Sequence, residues 1–313
     1  MERKRKKITV FTPTFNRAYK LDDLYESLLK QTEQNFIWLI VDDGSTDNTE
    51  EKVKGWIKKG EMEILYYFQE NAGKMQAHNK AVLECRTELF LCVDSDDYLV
   101  EDAIEKILKK WLKRDRNNMA GIIAYKGDKK GQILGKGIFP NIEFGKLGDL
   151  IQNGFLGDTT ICFNTDILRK YLFPKITGEK FITEAFIYKQ IDQKFDYYVY
   201  PCILTICEYL EDGYSKKMEY ISYENPIGRM YFEAQNLYLD KRWKEKVVAA
   251  IRYDAFKRIS GYSDVRKFNK VERLLLWICY PLGMYLANKK DKRYTTWKKG
   301  KKDDKYIKEK NKI

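Results

Sequence analysis

Along the first third of the chain, short apolar runs alternate with segments whose apolar residues recur every three or four positions. Ile8-Thr9-Val10-Phe11 reads as a strand, and Leu21, Leu24 and Leu28 follow at helical spacing. The apolar run Phe36 to Val41 predicts a second strand, and Asp47 to Lys59 a helix with Val53, Trp56 and Ile57 turned inward. The pattern repeats with a strand at 64–68, a helix at 75–85 and an almost wholly apolar strand at 89–93. A helix at 102–113 then carries Ala103, Ile104, Ile107, Leu108, Trp111 and Leu112 on one face. This succession is the pattern of βαβ units, and the continuous apolar runs suit strands covered on both faces.

Between Met119 and Gly154 the glycines multiply, which predicts short antiparallel strands and loops. Helices are expected near 165–171 and 181–193. An apolar stretch from Tyr197 to Cys207 follows, interrupted by Pro201. Beyond Tyr220 the pattern is helical up to Ala287. The domain boundaries expected from this are an α/β domain over 1–218, with a first half near 8–113 and a second near 114–218, a helical region over 219–288, and a tail over 289–313.

Leu274 to Ala287 is uncharged but contains Pro281 and Gly283. A helix of that length, at about 1.5 Å per residue, falls short of the roughly 30 Å hydrocarbon core of a bilayer. Two readings stand: a buried helical hairpin, which is preferred, or an interfacial segment with the following lysines on anionic headgroups.

Charge redraws this picture only at its ends. The 313 residues carry 58 Lys plus Arg against 46 Asp plus Glu, a formal net charge of +12. Residues 1–7 and 289–313 together hold 17 cations and 5 anions, which leaves 41 of each between Ile8 and Asn288. The body is neutral, so the basicity does not make it a nucleic-acid surface, and no RRM or zinc-finger pattern is present. Six scattered cysteines without a C-x-x-C pair and no apolar stretch after the basic start point to a cytoplasmic protein with reduced thiols. His78 is the sole histidine, so a Ser-His-Asp triad or a Cys/His zinc site has little to be built from.

The chemistry sits where strands run out. In open α/β sheets, ligands gather at the carboxyl ends of strands. Here those ends carry Thr12-Pro13-Thr14-Phe15-Asn16-Arg17, Asp42-Asp43-Gly44-Ser45 and Asp94-Ser95-Asp96-Asp97. Carboxylates packed after a buried strand repel and lose water, and a divalent cation is the usual compensation. Asp94 and Asp96, with Ser95 turned aside, can offer hard oxygen ligands to Mg2+ or Mn2+. Asp47 and Asp102 read instead as turn or helix caps.

Four motifs, TPTFNR (12–17), IVDDGSTDNT (40–49), ENAGKMQAHNKAV (70–82) and VDSDDYL (93–99), resemble in order and spacing the inverting family 2 glycosyltransferases. The likeness is strong from Ile8 to about Lys113 and thinner to about Ser215. It implies an α/β fold of the GT-A type, a Rossmann-like nucleotide-binding sheet with helices on both faces, followed by a C-terminal helical region. It also implies a nucleotide-diphosphate-sugar donor, usually a UDP-sugar, held by Thr12, Pro13, Phe15, Arg17, Asp43, Lys74, Asp94 and Ser95. By the same likeness, Asp43 accepts a hydrogen bond from the base, Lys74 lies near the base or diphosphate, Asp94 faces ribose and metal, and Asp96 ligates the metal. Phe15 can supply the apolar face a planar base needs, although plain core packing would also explain it. Lys74 would otherwise be a solvated lysine at a helix start. His78 falls where the family carries other residue types, so it is expected to be structural. No histidine follows it as a further ligand, so weak metal binding without donor is expected.

The second half must bring acceptor and base. GDTTICFNTDIL (157–168), with Asp158, and FPKITGEKFITEAFIYKQI (173–191), with Glu184, resemble the family's acceptor side. Glu184 is the first choice of base: it is a single acid among Phe181, Ile182, Ala185, Phe186 and Ile187, where loss of water makes a carboxylate more basic. Asp158 is the second choice or an acceptor ligand. YLEDGYS (209–215) resembles a recurrent element that closes over the donor. The expected partners are therefore a UDP-sugar and a glycan or lipid-linked acceptor at the inner face of the cell membrane, with an anionic membrane surface met through the C-terminal segment and no nucleic acid. An inert sugar-nucleotide-binding module is the competing reading, and intact Asp94, Asp96 and Glu184 argue against it.

Overall fold

The computed structural model describes residues 6–113, 118–207 and 220–310. The chain divides into two compact units, one of Met1–Lys175 with Ile187–Leu210, the other of Ile176–Phe186 with Glu211–Ile313.

The first unit is built on the expected alternation: β1 (Ile8–Thr14), α1 (Leu21–Leu29), β2 (Phe36–Asp42), α2 (Thr49–Lys59), β3 (Ile64–Phe68), α3 (Lys74–Glu84), β4 (Leu89–Cys92), β5 (Asp97–Leu99) and α4 (Ala103–Leu112). Strands β3, β2, β1 and β4 lie side by side and parallel. The apolar runs of β1, β2 and β4 are buried from both sides, as continuous patterning requires, whereas the edge strand β3 is only half-buried. Leu21, Leu24 and Leu28 of α1 seal one face together with Val53 and Trp56 of α2. Helix α2 stops at Gly60, whose φ of 68° a β-carbon would resist. Ile57 and Leu112, both expected inward, are exposed, because each lies just past the edge of its helix's buried stripe.

Trp38 centres this core. Fully buried on β2, it packs against Tyr25 and Trp56 and donates its indole N–H to the Thr12 hydroxyl at 3.0 Å. Trp38→Ala is expected to cost about 3–5 kcal/mol, a large share of the roughly 5–15 kcal/mol that holds a domain, and to lower the urea midpoint accordingly.

The glycine-rich stretch forms the expected short antiparallel strands and loops, and adds one helix. It forms β6 (Gly121–Gly127), β7 (Gly135–Lys136), β8 (Phe144–Gly145), α5 (Leu147–Gln152) and β9 (Leu156–Gly157), followed by β10 (Thr159–Asn164) and the single turn α6 (Thr165–Leu168). Gly121 permits the close approach of β6 and β10, since a β-carbon there would overlap the Cys162 carbonyl. Helix α7 (Ala185–Asp192) leads to β11 (Tyr197–Cys207), which continues past Pro201 by shifting register between Tyr200 and Ile203. The sheet order is β3-β2-β1-β4-β10-β6-β11-β5, with β10 antiparallel to both its neighbours and β8 paired to β11.

The second unit is helical: α8 (Pro226–Leu239), α9 (Trp243–Ser260) and α10 (Lys270–Lys310). Met230, Leu237, Ala250, Tyr253, Phe256 and Cys279 form its core. Residues 176–186, which the sequence places inside the α/β domain, belong to this unit: Glu179 accepts hydrogen bonds from the backbone N–H groups of Ile227 (2.7 Å) and Gly228 (2.6 Å) at the start of α8. The preferred hairpin reading of 274–287 is also corrected. That segment is part of one helix that passes through Pro281, and much of its apolar surface faces outward. The helical backbone likewise runs through most of the stretch expected as a tail.

Candidate active site

Because β1, β2 and β4 are parallel neighbours, their carboxyl ends share one edge, and the three loaded turns meet there. The first two interlock. Asn16, at a φ of 52°, donates its backbone N–H to the Ser45 hydroxyl at 2.8 Å, and its side-chain oxygen accepts from the Thr46 backbone at 2.7 Å. Asp47 accepts from the Ala18 and Thr49 backbones, the turn role expected of it. Asp102 instead pairs with Lys106 and makes no side-chain cap.

Asp43 is 4% exposed and anchors the loop before α3, accepting from the Gln69 amide at 2.7 Å and the Ala72 and Gly73 backbones at 2.8 Å each. A contact with a base must use its remaining lone pairs. The neighbouring Gly44 has a φ of 86°, and a β-carbon there would stand 2.9 Å from the Asn71 nitrogen. Thr12 is fully buried, with its hydroxyl occupied by Trp38, so its side chain serves the core. Pro13 is half-buried, whereas Phe15 is 47% exposed, which excludes plain core packing for that ring.

The acidic turn after β4 is charge-balanced. Lys74, at the first turn of α3, reaches the Asp94 carboxylate at 2.7 Å, so it is no solvated helix-start lysine. Arg17 lies 3.9 Å from Asp96 and donates to the Tyr19 hydroxyl at 3.2 Å. Burial alone would push the Asp94 carboxyl up, but the Lys74 and Lys126 ammonium groups overcome it and hold Asp94 below the ordinary carboxylate range. Asp96 goes the other way, raised by burial and then by the neighbouring Asp94 charge. Ser95 is buried between them.

Lys126, which sequence reasoning missed, completes the cluster. It projects from β6 to Asp97 at 2.8 Å, and although burial opposes its charge, Asp97 and Asp94 keep its ammonium well above the ordinary value. One lysine in an apolar strand carries no local signal of this role. Only the neighbouring β11, which pairs with both β6 and β5, brings the two strands within reach.

Asp94 and Asp96 keep 32% and 24% of their side-chain surface open. Among the described residues no group of three or more His, Cys, Asp or Glu is placed to hold a metal. Two open carboxylates fit a hard divalent ion that takes most of its ligands from elsewhere. His78 is 7% exposed among the rings of Phe11, Phe90 and Phe173, as expected of a structural residue.

Asp158 is exposed and directly precedes β10, where antiparallel register sets it opposite Lys126. Its carbonyl accepts from the Lys126 backbone at 3.4 Å. Sheet register thus brings Asp158 to the rim that carries the acidic turn. Glu184 belongs to the second unit, half-buried at the residue before α7. YLEDGYS lies outside the described residues.

Residues 9–173, more than half the chain, match the family model of glycosyl transferase family 2. The chain belongs to this family. Among curated relatives, the glycosyltransferase GlyG of Streptococcus pneumoniae is 32% identical over 114 residues, which is 36% of this chain and 38% of GlyG. The UDP-Glc:alpha-D-GlcNAc-diphosphoundecaprenol beta-1,3-glucosyltransferase WfgD of Escherichia coli is 27% identical over 176 residues, 56% of this chain and 66% of WfgD. The matches therefore span only part of those relatives. In structure the chain resembles S. aureus TarS 1-349 in complex with UDP-GlcNAc (TM-score 0.58, 16% identity, 94% of this chain and 92% of that one). It also resembles the mannosyltransferase PcManGT of Pyrobaculum calidifontis in complex with GDP-Man and Mn2+ (TM-score 0.54, 15% identity, 92% and 87%). The fold is GT-A with added C-terminal helices.

Proposed function

We propose that this family 2 chain is an inverting glycosyltransferase that moves a sugar from a UDP-sugar to a hydroxyl of a lipid-linked glycan at the inner face of the cell membrane. The observation that carries the reading is the meeting of three turns on one sheet edge, where exposed Phe15 and the Asp43 loop adjoin two open carboxylates balanced by Lys74 and Arg17. Phe15 stacks on the base, Asp43 accepts from its edge, and Lys74 and Arg17 turn toward the diphosphate as it enters. Asp96 and Asp94 hold Mn2+ or Mg2+, which when bound supplies positive charge to the departing diphosphate. Glu184 takes the acceptor hydroxyl proton while the acceptor oxygen bonds the anomeric carbon and the bond to the diphosphate breaks. Asp158 orients the acceptor or stands as the alternative base. The names of WfgD and of the TarS complex support a uridine donor, and WfgD also supports a lipid-diphosphate acceptor.

A sugar-nucleotide panel read by thermal unfolding in the presence of Mn2+ tests the donor half. A UDP-sugar at a hundredfold excess over its Kd is expected to stabilise the chain by about 2.7 kcal/mol, with little effect from GDP-sugars. Stabilisation by no nucleotide sugar would overturn the assignment of the site, and a preference for a purine donor would overturn the UDP specificity alone.

A further inference from the structure

Helix α10 presents two unlike faces between Val271 and Asn288. Glu272, Cys279, Gly283 and Ala287 are buried, and a β-carbon at Gly283 would collide with the Asp254 carboxylate of α9, so this side is committed to packing within the second unit. The opposite side is apolar and open. At about 100° per residue, Leu274, Trp277, Ile278, Pro281, Met284 and Tyr285 fall within roughly 120° of arc. All six are exposed, Trp277 by 75%.

Charge tells what this stripe suits. The exposed cations Lys267, Lys270 and Arg273 precede or open it and exposed Lys289 follows it. Glu272 is the only acid from Lys270 to Lys289, and it is buried against Arg266 at 2.6 Å. From Lys289 onward the sequence adds 12 cations against 4 acids. A second copy seated on the stripe would bring like charges together at its ends. An anionic surface would neutralise them. The stripe is too short to cross a bilayer, and among the described residues no helix is long and apolar enough to do so.

We propose that this face of α10 lies in the interface of an anionic phospholipid bilayer, with Leu274, Trp277 and Ile278 at the acyl boundary and the flanking Lys and Arg on headgroup phosphates. The inference does not depend on donor or acceptor, because binding is read without either.

The full chain is sedimented with vesicles of mixed phosphatidylglycerol and phosphatidylcholine, and with vesicles of phosphatidylcholine alone. Binding is expected to the anionic vesicles and to weaken as salt is raised. The triple substitution Leu274→Ser, Trp277→Ser, Ile278→Ser removes only exposed side chains. It should leave the thermal midpoint unchanged while lowering vesicle partition by about tenfold or more. The triple substitution Lys270→Gln, Arg273→Gln, Lys289→Gln should lower it by about fivefold per charge and flatten the salt dependence. Equal binding of the parent to neutral and anionic vesicles overturns the proposal, and so does unchanged binding of the apolar variant. A parent that ignores vesicles but is dimeric by analytical ultracentrifugation, and that the apolar variant renders monomeric, makes the stripe a seam between copies and equally overturns it.

Discussion

Asp96→Ala is expected to lower sugar transfer by about a thousandfold, because on the proposed reading it removes a carboxylate that would hold the metal serving the leaving diphosphate. Asp96 stands on a turn that follows an apolar strand, keeps a quarter of its side chain open, and lies 3.9 Å from Arg17, so the substitution leaves the core untouched. The loss should fall on kcat and on the Mn2+ concentration needed for half-maximal rate, with unfolding in the absence of donor unchanged. Asp94→Ala should differ in kind. It removes the carboxylate that holds the Lys74 ammonium at 2.7 Å, and should therefore weaken donor binding as well as turnover. Transfer by Asp96→Ala within about threefold of the parent would be incompatible with Asp96 serving the leaving group.

Glu184→Gln carries the second large effect, a loss of about 10²–10⁴ in kcat, the span expected when a general base is removed. Glutamine keeps the shape of the side chain and cannot accept the proton, so stabilisation by UDP-sugar should persist. Asp158→Asn is the decisive partner experiment. Register with β6 sets Asp158 opposite Lys126 on the rim that carries the acidic turn, whereas Glu184 is half-buried at the residue before α7. If Glu184→Gln transfers normally and Asp158→Asn collapses the rate while UDP-sugar still stabilises the chain, Asp158 is the base.

How much of this was legible depends on how local each determinant is. The alternation through 112 was readable because strands buried on both faces and amphipathic helices leave periods that neighbours in sequence alone impose. The turns after β1, β2 and β4 were readable for the same reason, since each is a contiguous run with its own chemistry. The glycine-rich stretch was legible as short antiparallel strands and loops but not as the helix α5, and glycine there marks both loops and the close backbone approach that Gly121 makes beside β10. Ile57 and Leu112 misled at helix margins, where one residue of rotation separates core from solvent. Lys126 gave no sign of itself: its partner Asp97 is 29 residues away, and strand pairing through β11 sets that distance.

The helix of the second unit shows the same division. Composition established an uncharged segment too short to span a bilayer and bounded by cations, and nothing in that pattern required a hairpin. Whether its apolar residues face a core depends on which side of α10 meets α9, a property of packing between elements. By itself the sequence determined the α/β alternation, the place of the acidic turn and the confinement of net positive charge to the ends, because each is written in contiguous residues. Tertiary structure alone decided that Lys74, Arg17 and Lys126 balance that turn, that residues 176–186 join the helical unit, and that a stripe of α10 is left open, because each depends on which distant segments pack together.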